Sequence, residues 1–332
     1  IHGAKVLVYS EVIEFIKEQD TIKGVKVLDH HTGIVTDYYA PVTVNAGGIW
    51  GHHIAQMAGA NISMFPAKGA LLIFAHRVNS VVINRCRKPA NADILVPGDT
   101  VCVIGTTSTR VPYEECDHLK VTPDEVDLLL TEGAKLAPCL AETRVLRAYA
   151  GVRPLVSADN DPSGRNISRG IVCLDHETRD GIKGFISITG GKLMTYRLMG
   201  EMAADAVCKK LGRDAKCVTA DTPLPGSEPG GIEEISKKIW EVPTMVQKAS
   251  VGRFGTQAAN LDFDGDVKGS LVCECEEVSV SEVDSAIENL EVNNLVDLRR
   301  RTRFGMGTCQ GELCACRAAG RLAKARKCTA KA

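Results

Sequence analysis

Apolar and polar positions alternate over the first forty residues in short runs that predict strands at 5–10, 11–19, 24–30 and 33–39, with turns at Lys23-Gly24 and His31-Thr32-Gly33. A β-branched run at 42–44 then enters a small-residue turn (Asn45, Ala46, Gly47, Gly48) and a helix carrying Ile49, Ile54 and Met57. Residues 64–110 are strand-rich (ALLIF, VVIN, DILVP, VCVIGTT), turn at Pro97-Gly98-Asp99, and predict one antiparallel sheet. Thr122-Pro123-Asp124-Glu125 is a capping box with proline at the first helical position, opening a helix through Leu136. A strand at 185–189, the turn Gly190-Gly191 and a helix over 194–211 follow, the helix stopped by Gly212. Residues 221–270 are rich in Pro, Gly, Asp and Ser around one short helix (GIEEISKKIWEVP) and predict a linker or cover segment. From Leu271 a third unit begins, with a helix in VSVSEVDSAIENL capped by Ser281 and Asp284 and a second in NNLVDLRRRTRF.

Composition narrows the class. At 44% hydrophobic residues and net charge −1 the chain is globular, with no excess of basic residues to suggest nucleic acid. No run approaches the roughly 18 consecutive apolar residues of a spanning helix, and the first residues lack the shape of a signal peptide. Thirteen cysteines, an odd number, then suit a reducing compartment better than a disulfide framework.

Two stretches carry candidate chemistry. A glycine pair feeding a helix start, as in ITGGKLMTYR, is a geometry that can cradle phosphate. It is not a Walker A loop, because residue 186 is isoleucine and Leu193 stands where Ser or Thr should be. No G-x-G-x-x-G occurs either; Gly305-Met306-Gly307 comes nearest, and Gln310 breaks it. Nearby cations are Arg153, Arg169 and Lys192. The second stretch is the pattern C-x-C-x33-C-x4-C formed by Cys273, Cys275, Cys309 and Cys314, two short pairs flanking a small helical hairpin. C-x-C is unusual for zinc, which favours wider pairs, so an iron–sulfur centre is the expected occupant and zinc the alternative. Arg299, Arg300, Arg301 and Arg303 could offset the thiolate charge, and Cys316 is a possible substitute ligand. The other cysteines read as isolated core or surface thiols.

Together these motifs resemble a known family. The C-terminal unit is similar to the bacterioferritin-associated-ferredoxin-like (BFD-like) [2Fe-2S] domain. The stretches VNAGGIWG, KGALLIF, VINRCRKPANADILVPGDT, IGTTS, YAGVRPLV, ISRGI and ITGGKLMTYRLMGEMAAD resemble the C-terminal two-thirds of the FAD-dependent glycerol-3-phosphate dehydrogenases. With the ferredoxin-like tail, the resemblance is to the large flavin subunits of their anaerobic, respiratory branch. That family begins with a strand, glycine-rich loop and helix that bind the FAD pyrophosphate. This sequence starts after it, so the 332 residues alone are expected to be inactive.

The resemblance implies an α/β and α+β protein. An incomplete, D-amino-acid-oxidase-like FAD-binding domain would take residues 1–60 and 141–220. An inserted antiparallel-sheet substrate domain would take 61–140, a linker 221–270, and a small helical iron–sulfur domain 271–328. It also implies FAD held by Asn45, Ala46, Gly47, Gly48, Trp50, Gly190, Gly191, Leu193, Met194 and Thr195. Arg153, Arg169 and Lys192 would converge on the substrate phosphate. Hydride would pass from C2 of glycerol 3-phosphate to the flavin, giving dihydroxyacetone phosphate, with His76 as candidate base and His52, His53 and His176 as alternatives. Electrons would leave singly through a [2Fe-2S] cluster to partner electron-transfer and membrane-anchor subunits and quinone. Peripheral attachment at the cytoplasmic face of the inner membrane would follow, with the chain soluble when expressed alone. Rival readings are another flavoenzyme acting on a 2-hydroxy acid or amine, and a non-catalytic iron–sulfur adaptor.

Overall fold

The computed structural model describes residues 3–156, 170–228, 244–264, 267 and 269–329. The chain opens with a three-stranded antiparallel meander, β1 (Ser10–Glu18), β2 (Thr21–Asp29) and β3 (Val35–Tyr39). Residues 5–9 form no strand, and the first turn lies before β2 rather than at Lys23-Gly24. Gly24 sits inside β2 because β3 passes too close for a side chain: a Cβ there would stand 2.1 Å from the Tyr38 carbonyl oxygen. The composition of that dipeptide signals a turn, whereas the close approach that explains it is tertiary.

Strand β4 (Thr43–Asn45) leads through a single 3-10 turn into α1 (Gly51–Met57). The chain then leaves for a six-stranded antiparallel sheet made of β5 (Met64–Phe74), β6 (Ile83–Asn84), β7 (Ile94–Pro97), β8 (Cys102–Gly105), β9 (Thr109–Arg110) and β10 (Val145–Val156). Helix α2 (Pro123–Leu136) starts at the expected capping box, with Thr122 and Glu125 reciprocally bonded. Its buried Leu129 joins Leu72, Phe74, Leu95, Cys102 and Ile104 in one core under the sheet.

Strand β10 lies beyond the expected boundary at 140. It falls in the stretch assigned to the flavin-binding half, yet it pairs with β5 from Val145↔Phe74 to Val156↔Met64. Gly151 and Pro154 break its strand signature. Both are tolerated because β10 is an edge strand, with Pro154 directly opposite Pro66.

The chain returns through β11 (Ile171–Asp175), α3 (His176–Asp180) and β12 (Phe185–Gly190). Strand β12 lies between β11 and a parallel β4 in a sheet of order β11-β12-β4. Phe185 packs with Phe15, Ile22, Ile49 and Ile62, locking the meander and α1 onto this sheet. A 3-10 turn at 193–195 precedes α4 (Tyr196–Lys210), and Gly212 follows with φ +62°.

After α5 (Thr244–Phe254) comes the C-terminal unit, with β13 (Leu271–Cys273), β14 (Val278–Ser279), α6 (Val280–Asn289), α7 (Leu295–Thr302) and α8 (Ala315–Arg326). The capping box of α6 is formed by Ser279 and Glu282, not Ser281 and Asp284. A glutamate side chain reaches back to the cap N–H more readily than the shorter aspartate. The expected hairpin between the cysteine pairs is α6 and α7, and α8 after the second pair joins them around a core of Val272, Val278, Val283, Leu298, Phe304 and Ala318. The short helix expected at 231–243 lies outside the described residues. The unit docks on the six-stranded sheet through Thr308, whose Oγ1 donates to Ala75 O at 3.2 Å and whose N–H donates to Thr100 Oγ1 at 3.2 Å.

Candidate functional site

Parallel pairing of β4 with β12 brings their two following turns side by side. Between them lies a mostly apolar cavity of about 310 Å³, lined by Val44, Ala46, Gly48, Ile188, Gly190 and Met199 among others. Asn45 frames it from below rather than facing into it. The side chain is buried, donating from Nδ2 to Gly51 O (2.8 Å) and Ser187 Oγ (3.1 Å) while Oδ1 accepts from the Gly47 N–H at 3.1 Å. Gly190 has φ +76°, and a Cβ on it would stand 2.3 Å from Gly170 O, so only glycine fits. Thr189 also lines the cavity, and its buried Oγ1 has no hydrogen-bond partner among the described residues. A flat heteroaromatic ring with polar edge atoms suits these walls and would answer that hydroxyl.

The other expected flavin contacts stand apart from the cavity lining. Trp50 donates from Nε1 to Asp117 at 2.9 Å. Thr195 Oγ1 closes the 3-10 turn on Lys192 N and O. Gly191 packs beside Met199 and Thr195. Leu193 and Met194 are 92% and 80% exposed.

A second cavity, about 690 Å³, opens beside the first over the six-stranded sheet. Arg85, Arg87, Arg153 and Lys192 line it together with Thr106 and an apolar floor that includes Leu71, Ile94 and Val103. Arg153 donates to Thr106 Oγ1 (2.5 Å), Thr107 O (3.3 Å), Ala67 O and Lys68 O (both 3.4 Å). Arg85 and Arg87 were not singled out from sequence; the bend after β6, closed by the Arg87 N–H on Arg85 O at 3.0 Å, brings both to the cavity. Glu132 from α2 holds Arg85 at 2.9 Å and reaches Arg87 at 3.4 Å, and Asp93 holds Arg87 at 2.8 Å. Lys135 first, then Arg85, bring the Glu132 carboxyl down to about 2.

The structure therefore brings Arg153 and Lys192 together; Arg169 lies outside the described residues. His76 is not brought there. It is exposed just past the end of β5, on the side where Thr308 docks. His176 is fully buried, stacked on Phe185 and bonded to Asp180 (2.5 Å) and Ser187 (2.8 Å), which is a structural role. His52 is bound through Nδ1 to Ile62 O at 2.8 Å, and His53 packs edge-on against Tyr113.

The four cysteines assemble as two cross pairs. Cys273 lies beside Cys314, both fully buried, and Cys275 beside Cys309, both half-buried. Burial, then the proximity of Cys273, pushes the Cys314 thiol up. Burial also raises Cys309, but the N–H groups of Leu313 and Gly311, the Cys275 thiol and the Glu312 N–H more than reverse it. Among the described residues no three His, Cys, Asp or Glu side chains gather around one point. A two-iron cluster takes two thiolates at each iron, and these two pairs of thiols would supply them. Cys316 is exposed, outside both pairs.

An apolar cavity between two glycine turns, a cationic cavity beside it and two pairs of thiols are the features of a protein that holds a flavin and an iron–sulfur cluster. Residues 2–197 match the FAD dependent oxidoreductase family and residues 271–322 match the BFD-like [2Fe-2S] binding domain, so the chain belongs to the FAD dependent oxidoreductases and carries a BFD-like domain. It is 60% identical over 319 residues to an anaerobic glycerol-3-phosphate dehydrogenase subunit of Haemophilus influenzae, covering 96% of this chain and 56% of that one. It is also 60% identical over 321 residues to the Escherichia coli K12 protein of the same name, covering 97% and 59%. The chain thus spans less than two thirds of the length of these relatives. The solved glycerol-3-phosphate dehydrogenase from Bacillus halodurans complexed with FAD shares the fold, at TM-score 0.71 and 21% identity, over 97% of this chain and 66% of that one. Among the described residues no helix is long and apolar enough to cross a membrane.

Proposed function

We propose that this chain is the substrate-binding and electron-exit part of an enzyme that oxidises sn-glycerol 3-phosphate to dihydroxyacetone phosphate. The observation that carries this reading is the turn after β12. Gly190 lines the apolar cavity, and Lys192, two residues on, lines the cationic one beside Arg153. A phosphate held there is within one small molecule's length of a flavin ring in the neighbouring cavity. When bound, FAD supplies the hydride acceptor and the [2Fe-2S] cluster a one-electron outlet. The chain's own part is to hold the doubly charged phosphate on Arg153 and Lys192 and to set the C2 end against Gly190. Leu71, Ile94 and Val103 offer an apolar wall against the carbon chain and keep water from the reacting end.

The two relatives are each named as one subunit of a larger enzyme, which supports further partner subunits that take the electrons toward quinone and attach the assembly peripherally to the membrane. Cosedimentation of the assembled complex with membranes tests that attachment, and a complex that stays in the supernatant argues against it.

The test of the reaction is an anoxic optical titration of the FAD-loaded enzyme with glycerol 3-phosphate. Bleaching of the flavin bands followed by loss of cluster absorbance is the expected result. Bands that respond instead to a 2-hydroxy acid or an amine would favour a different flavoenzyme, and no response to any of them would favour an adaptor.

A further inference from the structure

Gly69 stands near the middle of β5, buried between Lys68 and Ala70, with a backbone any residue could adopt. A glycine there weakens the strand, by roughly 0.5–1 kcal/mol relative to alanine, so its presence calls for a reason. A Cβ on Gly69 would fall 2.5 Å from Nη2, 2.9 Å from Cζ and 2.9 Å from Nη1 of Arg153. All three nearest atoms belong to one guanidinium, and none belongs to backbone. The register explains the contact. Arg153 lies opposite Ala67 and Gly151 opposite Gly69, so the long side chain runs diagonally across the ladder into the space a residue at 69 would fill.

We propose that Gly69 is a positioning residue of the substrate site: its missing side chain is the seat of the Arg153 guanidinium. Seated there, the guanidinium lies flat on β5, one nitrogen on the carbonyls of residues 67 and 68 and the other on Thr106 and Thr107. Those acceptors are themselves fixed. Thr107 Oγ1 accepts from the Ala70 N–H at 2.9 Å and donates to Glu125 at 3.1 Å, while Lys68 Nζ donates to Glu125 at 2.8 Å. The fork is thereby held in the wall it shares with Lys192, and a methyl at 69 would push it off that wall.

The inference rests on Arg153 binding the substrate phosphate, and the experiment separates the two ideas. In the holoenzyme, Gly69→Ala is expected to raise KM for glycerol 3-phosphate about tenfold or more while kcat, flavin content and iron content hold. The thermal midpoint should hold or rise. Arg153→Ala should raise KM by itself, and adding Gly69→Ala to it should change nothing further. If Arg153→Ala leaves KM unchanged, the substrate reading fails and the seat has no function to serve. If Arg153→Ala raises KM but Gly69→Ala does not, the seat is overturned and the substrate reading stands. Should Gly69→Ala fail to fold, the double variant decides. Recovery of folding once the guanidinium is gone supports the seat, and continued failure makes Gly69 a packing residue only.

Discussion

Tyr9 donates its hydroxyl hydrogen to Asp297 Oδ2 at 2.7 Å, joining the entry of the first strand to the start of α7 across 288 residues of sequence. Asn294 Nδ2 donates back to the same hydroxyl at 2.7 Å, and the Asn293 N–H donates to Asp297 at 3.0 Å. The iron–sulfur unit is thus fastened to the remainder of the molecule here as well as at Thr308 and through Arg253, whose Nε donates to Glu282 at 2.7 Å.

Burial raises the Asp297 carboxyl, but Tyr9, the Asn293 N–H and Arg301 and Arg300 together hold it below its ordinary value. A carboxyl depressed in the folded state contributes stability above its unfolded pKa, and that contribution is lost as pH falls through the folded value. Tyr9→Phe should therefore move acid unfolding to higher pH, followed by circular dichroism and cluster absorbance. An unmoved acid midpoint would mean the bridge contributes nothing.

The cross pairing of thiols makes a distinct prediction for each cysteine. Cys273→Ser and Cys314→Ser should each take iron from about two per chain to near none, with loss of visible absorbance. Cys316→Ser should leave both unchanged. Iron and sulfide analysis of the purified variants checks this, and iron loss in the Cys316 variant would reassign the fourth ligand.

Lys192 is exposed on the turn beside the cationic cavity. A charge-assisted contact to phosphate is worth roughly 1.5–3 kcal/mol, or about 10- to 150-fold in affinity. Lys192→Met should raise KM for glycerol 3-phosphate within that range, with Lys192→Arg recovering part of it. Steady-state kinetics with an artificial electron acceptor would show it.

Lys68 and Glu125 form an ion pair with side chains only 10% and 12% exposed. Removing one partner of such a pair costs about 3–5 kcal/mol, because the other charge stays buried. Glu125→Gln should lower stability accordingly, and Lys68→Met with Glu125→Leu should restore most of it. Burial raises the Glu125 carboxyl, yet Lys68 and the Thr122 N–H outweigh it and hold it below its usual range. Its contribution is therefore present above the unfolded pKa and lost as pH falls through the lowered folded value. Denaturant unfolding at neutral and acid pH would show the gap between wild type and Glu125→Gln closing in acid.

His76 lies past the end of β5 and outside the cationic cavity. His76→Gln should leave kcat within about a factor of two, as an exposed substitution away from the chemistry does. A loss of several hundredfold would return it to the reaction.

What could be read from the chain by itself was whatever is decided within a few residues. The Thr122–Glu125 box needs only a helix start, the Gly190-Gly191 turn only a strand feeding a helix, and the cysteine spacing only two short loops. The functional class followed from motifs of this kind.

Contacts far apart in sequence were decided by the tertiary structure. Which cysteine meets which depends on how β13, α6 and α8 pack, and no spacing distinguishes Cys273–Cys314 from Cys273–Cys309. Strand β10 exists because β5 offers it an edge, and its own glycine and proline argue against it. The glycines at 24 and 69 read as a turn and a weak strand, until the Tyr38 carbonyl and the Arg153 guanidinium are seen in the space their side chains would need. Local chemistry sets turns, caps and ligand types, because those interactions are between neighbours. Position in a site is set by the register of distant strands, which one stretch of sequence does not contain.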